Sequence, residues 1–312
     1  MAFETTTEDV LQGVDLSAKT VVVTGASSGL GEETSRAIAA HGAHVVMAVR
    51  DKAKGDAAVE RIRSRHPDAS LELHELDLGS LATARASADA LLQKHDRIDR
   101  LINNAGVMAP PLGHTVDGFE LQLGTNHLGH FVWTNHVLPA VLAAAPARIV
   151  NLSSRGHVRG QMNFDDPHYR ARPYEKWEAY GQSKTANILF TIELDRRLKE
   201  RGVRAYAVHP GVIMTELSRH LQPADFDAMA SRLPAGALTL KPVEAGAATT
   251  VWAATSSELD DVGGVYLEDA GVAEAATDDP PTRGYAAYAM DPDTARRLWS
   301  WSEEQVGETF PI

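Results

Sequence analysis

Thr20-Val21-Val22-Val23-Thr24-Gly25-Ala26-Ser27-Ser28-Gly29-Leu30-Gly31 decides the fold. Thr20 to Val23 is a β-branched, apolar run of the kind buried on both faces of a parallel sheet, and it leads straight into three glycines. The helical pattern from Glu32 to His41 then follows. A strand, a glycine turn and a helix start make an anion site, because the first turn of a helix leaves N–H groups unpaired and carries positive partial charge. Glycines let a pyrophosphate approach that backbone closely. The spacing is G-x-x-x-G-x-G, which differs from the G-x-G-x-x-G dinucleotide fingerprint.

Outward from this stretch, short apolar strands alternate with amphipathic helices. The pattern predicts strands at His44 to Val49, Ser70 to Leu76, Ile98 to Ile102, Arg148 to Leu152, Val203 to Val208 and Gly264 to Leu267. Helices are expected at Lys52 to Arg65, Leu81 to His95, Val116 to Ala143, Glu175 to Glu200 and Val243 to Ala254. The βαβαβ order implies an α/β fold built on a doubly wound parallel sheet with right-handed crossovers. At 312 residues and 44% apolar composition, the chain fits one domain, 1–312, with a core from about 15 to 270.

A formal charge of -12, with 42 acidic against 30 basic residues, disfavours a nucleic-acid or anionic-membrane surface. The absence of cysteine excludes disulfides and thiol nucleophiles. No run of 18 apolar residues occurs and the start is acidic, so a cytoplasmic protein with no transmembrane segment is expected.

In such sheets ligands bind beyond the carboxyl ends of the strands. After the second strand, Val49 stands where an NAD site would want a carboxylate for the ribose hydroxyls, and Arg50 follows. A guanidinium pairs with a ribose 2'-phosphate, so NADP is favoured over NAD. Asp77, after the third strand, can accept from an adenine amino group or cap the next helix.

Tyr180-Gly181-Gln182-Ser183-Lys184 puts a phenol and an ammonium on one helix face. A phenol of pKa about 10 needs roughly 4 kcal/mol of preference for phenolate to act as a base near pH 7. A cation about 4 Å away at an effective dielectric of about 20 supplies an effect of that order.

Taken together, Thr24-Gly25-x-x-x-Gly29-x-Gly31, Asp77, Asn103-Asn104-Ala105-Gly106, Asn126, Ser154 at the end of I-V-N-L-S-S, Tyr180-x-x-x-Lys184 and Pro210-Gly211 resemble the short-chain dehydrogenase/reductase family. The V-R-D, N-H-L-G-H-F and Y-G-Q-S-K-T-A-N segments look most like its branch of retinol dehydrogenases, WW-domain oxidoreductases and bacterial relatives. The likeness implies a Rossmann-type sheet of about seven parallel strands. It implies Tyr180 as general acid and base, Ser154 holding the substrate oxygen with Ser153 as the fallback, Lys184 lowering the tyrosine pKa, and Asn126 holding a water in a proton relay. The cofactor is expected against Gly25, Ser27, Ser28, Gly29, Leu30, Gly31, Arg50, Asp77, Leu78, Asn104, Ala105, Gly106, Tyr180, Lys184, Pro210, Gly211, Val212 and Thr215.

Ser154 and Tyr180 lie 26 positions apart, about twice the separation in many family members, so the intervening loop should shape the mouth of the site. Its His157, Asp165, Asp166 and His168 lack an enforced ligand spacing, and no metal is expected. Two apolar sets, Met214, Leu217, Leu221 and Phe226, Met229, Leu233, predict a helical lid within 212–240 that packs on the core or covers a greasy substrate. In the tail, Thr294 to Val306 reads as a helix whose Trp299 and Trp301 pack on the domain or on a second subunit, and a homodimer or homotetramer is expected by family likeness.

The resulting expectation is an NADP(H)-dependent oxidoreductase that interconverts a carbonyl and an alcohol of a fairly hydrophobic substrate of retinoid, steroid or aromatic-ketone type. The alternatives are a double-bond reductase like the light-driven protochlorophyllide enzyme, against which the lack of cysteine counts, and a non-catalytic NADPH sensor.

Overall fold

The computed structural model describes residues 3–223, 225, 239–278 and 282–312. Eight strands form one sheet in the order β3-β2-β1-β4-β5-β6-β7-β8. They are β1 Thr20–Thr24, β2 His44–Val49, β3 Leu71–Glu75, β4 Arg100–Asn103, β5 Ala147–Leu152, β6 Val203–His209, β7 Val265–Glu268 and β8 Gly271–Val272. The first seven run parallel. β8 returns antiparallel on β7, so the sheet has one more strand than expected, a two-residue edge too short to leave a periodic signal.

The central strands are apolar on both sides because both faces are covered. Alternate residues split between two cores. Val22, Val46, Leu101 and Ile149 pack under helices α4 (Leu81–Leu92), α6 (Gly129–Ala143) and α7 (Lys176–Leu198). Val21, Val23, Val45 and Met47 face the opposite layer, where α2 (Gly29–Ala40), α3 (Lys52–Arg65) and α8 (Val243–Thr255) lie. Each of these side chains is buried, at about 1.5–3 kcal/mol apiece. A short N-terminal helix, α1 (Thr7–Leu11), has a capping box from Thr6 and Asp9 and packs on α2 and α8. Its Thr7 hydroxyl donates to buried Glu33, which also pairs with Arg36.

The long helix expected from Val116 starts later. Residues 115–120 form a loop instead, closed by a bridge between His114 and Glu120, with Val116 exposed and the Asp117 carboxylate accepting from Leu81 N–H at the start of α4. The helical part begins with one turn, α5 (Leu121–Leu123), capped by Glu120, and widens to a π-turn over Gly124–Leu128 before α6. Of the expected lid, Glu216–His220 is a 3₁₀ turn, which breaks the i, i+3, i+7 set of Met214, Leu217 and Leu221. Phe226, Met229 and Leu233 lie outside the described residues. The tail helix α9 (Pro292–Val306) packs on α7, and Trp299 is buried among Phe131, Phe190 and Arg197 of the same chain. Trp301 is half-buried against Phe164 and His168.

Candidate active site

The strand order reverses direction at β1: β2 and β3 lie to one side, β4 and its successors to the other. That switch point splays the connections apart and leaves a crevice at the carboxyl ends of β1 and β4. Here it is a cavity of about 720 Å³, and the residues that follow each of β1 through β6 line it.

At its floor the glycine turn holds. Gly25 and Gly29 have φ of +68° and +57°, in the left-handed region that favours glycine. A Cβ on Gly25 would sit 2.8 Å from the Ala105 Cα, and one on Gly31 would collide with the Gly25 carbonyl oxygen. The backbones of the turn and of the Asn104 loop therefore approach as closely as glycine permits. Ser28 stands at the N-cap of α2 yet makes no side-chain cap bond, whereas α3 and α4 are capped by Asp51 and Ser80. The first N–H groups of α2 thus face the cavity, ready for an anion. Thr215 lies over Gly29, its methyl 3.1 Å from where a Cβ would be, and also faces the cavity. This cradle fits a dinucleotide pyrophosphate.

Toward the β2 end, Arg50 and Lys54 line the cavity, both exposed. Lys54, on the first turn of α3 beside Arg50, was not singled out in the sequence, because one lysine in a charged helix face carries no positional signal. Asp77 does not cap α4: Ser80 does, and the Asp77 carboxylate accepts from Gly79 N–H at 2.9 Å while lining the cavity with Leu76 and Leu78. Pro210, Gly211 and Val212 line the opposite wall.

Ser154, Tyr180 and Lys184 meet at the inner end. α7 opens with Glu175 capping Trp177 and Glu178, which sets the helix phase so that Tyr180 and Lys184 both turn inward, each 4% exposed. The Tyr180 ring and the Ser154 hydroxyl both flank Gly156, and Ser154 Oγ accepts from Gly156 N–H at 2.9 Å. Ser153 instead turns away, donating to the Lys184 carbonyl at 2.9 Å. Lys184 Nζ donates to the Leu152 carbonyl at 2.9 Å and lies 5.8 Å from the centre of the Tyr180 ring. Burial pushes Tyr180 up to about 12, with Ser154 opposing, and burial pushes Lys184 down to about 8.

Asn126 lies in the π-turn with its amide bonded on both sides. Its Oδ1 accepts from Val107 N–H at 2.8 Å, and its Nδ2 donates to the Val107 carbonyl at 3.0 Å and to Ser183 Oγ at 2.9 Å. The side chain therefore clamps the loop after Gly106.

His157, Asp165, Asp166 and His168 do not converge. His157 Nδ1 donates to the Ser154 carbonyl, Asp166 accepts from Arg170, Ala171 and Arg172 N–H, and His168 Nδ1 accepts from Glu120 N–H. The first part of that loop does form the mouth, where Arg155, Val158 and Arg159 line the cavity. Among the described residues, His44, Glu72 and His95 do bring ligand atoms together, but at the opposite edge of the sheet, where Lys94 already neutralises Glu72.

A doubly wound sheet with an open dinucleotide cradle and a buried serine, tyrosine and lysine at its switch point defines a Rossmann-type oxidoreductase. The sequence profile of the short chain dehydrogenases matches residues 19–225, and the chain belongs to that family. It is 42% identical to retinol dehydrogenase 13 of Homo sapiens over 294 residues, covering 94% of this chain and 86% of the relative. Retinol dehydrogenase 14 of Mus musculus is 40% identical, with 93% and 86% covered. Among solved structures, an uncharacterised protein from Mycobacterium paratuberculosis superposes with a TM-score of 0.74 at 37% identity, covering 96% and 97% of the two chains. The Pseudomonas aeruginosa RhlG/NADP active-site complex gives 0.65 at 25% identity, covering 81% and 95%. No helix among the described residues is long and apolar enough to cross a membrane.

Proposed function

We propose that the protein is an NADP(H)-dependent oxidoreductase interconverting a carbonyl and an alcohol on a fairly hydrophobic substrate, with Tyr180 as general acid and base. The observation that carries this reading is the convergence of Ser154, Tyr180 and Lys184 in one cavity with the uncapped start of α2. Bound NADPH supplies the hydride. The chain's own residues have the remaining tasks. The backbone N–H groups of α2 and Thr215 hold the pyrophosphate, and Arg50 with Lys54 favours a 2'-phosphate over a bare ribose.

Ser154 orients the substrate oxygen beside Tyr180 Oη, which donates its proton as the oxygen becomes negative. With a pKa near 12 in the free protein, the phenol stays protonated at neutral pH and is poised as the acid for reduction. Lys184 stabilises the phenolate that forms. Oxidation needs the reverse transfer, and the same burial opposes it. The outer half of the cavity, with Met108, Val158, Trp177, Met214, Leu217 and Leu221, is an apolar wall suited to a greasy substrate body, as the names of the retinol dehydrogenase relatives also suggest.

The test is oxidation of NADPH at 340 nm against a panel of ketones, aldehydes, retinal and steroids, with NADH in parallel. Turnover with NADPH preferred by at least about tenfold is expected, since a charge-assisted phosphate contact is worth about 1.5–3 kcal/mol. Preference for NADH overturns the role of Arg50, and silence with both cofactors despite tight NADPH binding overturns the enzyme.

A further inference from the structure

The Thr24 hydroxyl, at the end of β1, accepts from two backbone N–H groups, those of Asn104 and Ala105, each at 2.9 Å. Its own hydrogen has to go elsewhere, and the remaining neighbour is Nε2 of His130, also at 2.9 Å. The ring must then accept at Nε2, so in a neutral imidazole the hydrogen sits on Nδ1. Nδ1 faces the main-chain carbonyl of Asn126 at 3.0 Å, where only a donor is favourable. The opposite tautomer would turn a ring lone pair onto that carbonyl and strand the Thr24 proton. All three residues are sealed from water, at 0%, 2% and 0% exposed for Thr24, His130 and Asn126. Burial holds the ring neutral, and so does the nearby Lys184 ammonium. The other titratable neighbour, His127, is itself buried and neutral.

We infer that Thr24 and His130 form a positioning pair that joins the two halves of the site. Through the Thr24 oxygen the pair fixes the Asn104 and Ala105 N–H groups beside the glycine turn. Through Nδ1–H it binds the Asn126 carbonyl and fixes its direction, while the Asn126 amide is held by Val107 and Ser183. The consequence for turnover rests on the reductase reading above, whereas the tautomer does not. His130 touches no substrate and acts through Asn126.

The first test needs no cofactor and no activity. Long-range ¹H–¹⁵N spectra of the histidine side chains, with His130 assigned by its loss in His130→Leu, should show one ring protonated on Nδ1, bare on Nε2, and unchanged from pH 8 to pH 5. An Nε2–H ring, or titration near pH 6.5, overturns the inference. Kinetics then test the positioning. His130→Leu should lower kcat about tenfold, the cost of one misdirected hydrogen bond, with KM and the NADPH Kd within about twofold. His130→Asn, whose amide N–H can stand where Nδ1–H stood, should recover most of that loss. Unchanged kcat in His130→Leu, or equal loss in both variants, overturns the positioning role. If no carbonyl is turned over, the reductase reading fails while the spectra still judge the pair.

Discussion

Tyr180 and Lys184 are both driven toward their uncharged forms by burial, the phenol up to about 12 and the ammonium down to about 8. The sign of the lysine shift sets a pH limit on catalysis: a depressed lysine keeps its charge below about pH 8 and loses it above. The reducing kcat/KM should therefore hold level to about pH 8 and decline beyond it, as read from a pH–rate profile, and a level profile to pH 10 contradicts this role for Lys184. At this scale the sequence was informative where residue type and spacing are enforced by chemistry. Tyr180 and Lys184 share a helix face by the i, i+4 rule, and the glycines of residues 25–31 sit where backbones touch. His130, Trp177 and Lys54 were not legible, because the fold and not the local sequence brings each to the site, and a lone histidine, tryptophan or lysine in a helix has no local mark. The buried environment that raises the Tyr180 pKa was equally invisible, since it depends on how α7 meets the Ser154 loop.

The tail helix α9 was readable from its spacing, but its resting place was not. It lies on α7 and α6, with Trp299 edge-on to Phe131 at 5.0 Å and Arg197 stacked over the indole at 4.2 Å. Trp299→Ala should destabilise the fold by about 3–5 kcal/mol through the cavity it leaves, measured by urea unfolding. A cost below about 1 kcal/mol would mean that the tail is an ornament on the core. The expected helix start at Val116 failed for a reason that periodicity cannot see. Residues 115–120 are held by partners distant in sequence, the Asp117 carboxylate by Leu81 N–H, Val116 N–H by the Gly79 carbonyl and Glu120 N–H by His168 Nδ1, so tertiary contacts override local preference. The π-turn that follows is likewise a product of packing, and it places Asn126 against Val107.

Over the whole molecule, the doubly wound parallel sheet could be inferred because apolar strands alternating with helices leave few topologies, and right-handed crossovers then bring each strand-end motif to one edge. The one-strand excess at β8 lay below the resolution of any pattern. Burial of histidine throughout the fold has a global consequence. His127 is held down to about 3, and His130 and His157 to about 4, against 6.5 when unfolded, burial being the chief cause in each. The unfolded chain binds protons that the native one refuses, so their contribution is complete above pH 6.5 and is lost as pH falls toward 4. Each ring removes about 1.4 kcal/mol per pH unit over that window. Urea midpoints should be steady above neutrality and drop steeply between pH 6.5 and 5; a flat trend there contradicts the buried, neutral assignments.

The central claim is that Tyr180 donates the proton within a dinucleotide site that other residues build. Its most direct test is Tyr180→Phe, measured side by side for NADPH affinity by fluorescence titration and for carbonyl-dependent NADPH oxidation. The expected result is an NADPH Kd within about threefold of the parent and turnover reduced by about 10²–10⁴-fold, the range for loss of a general acid. Turnover retained at the parent rate would contradict the account.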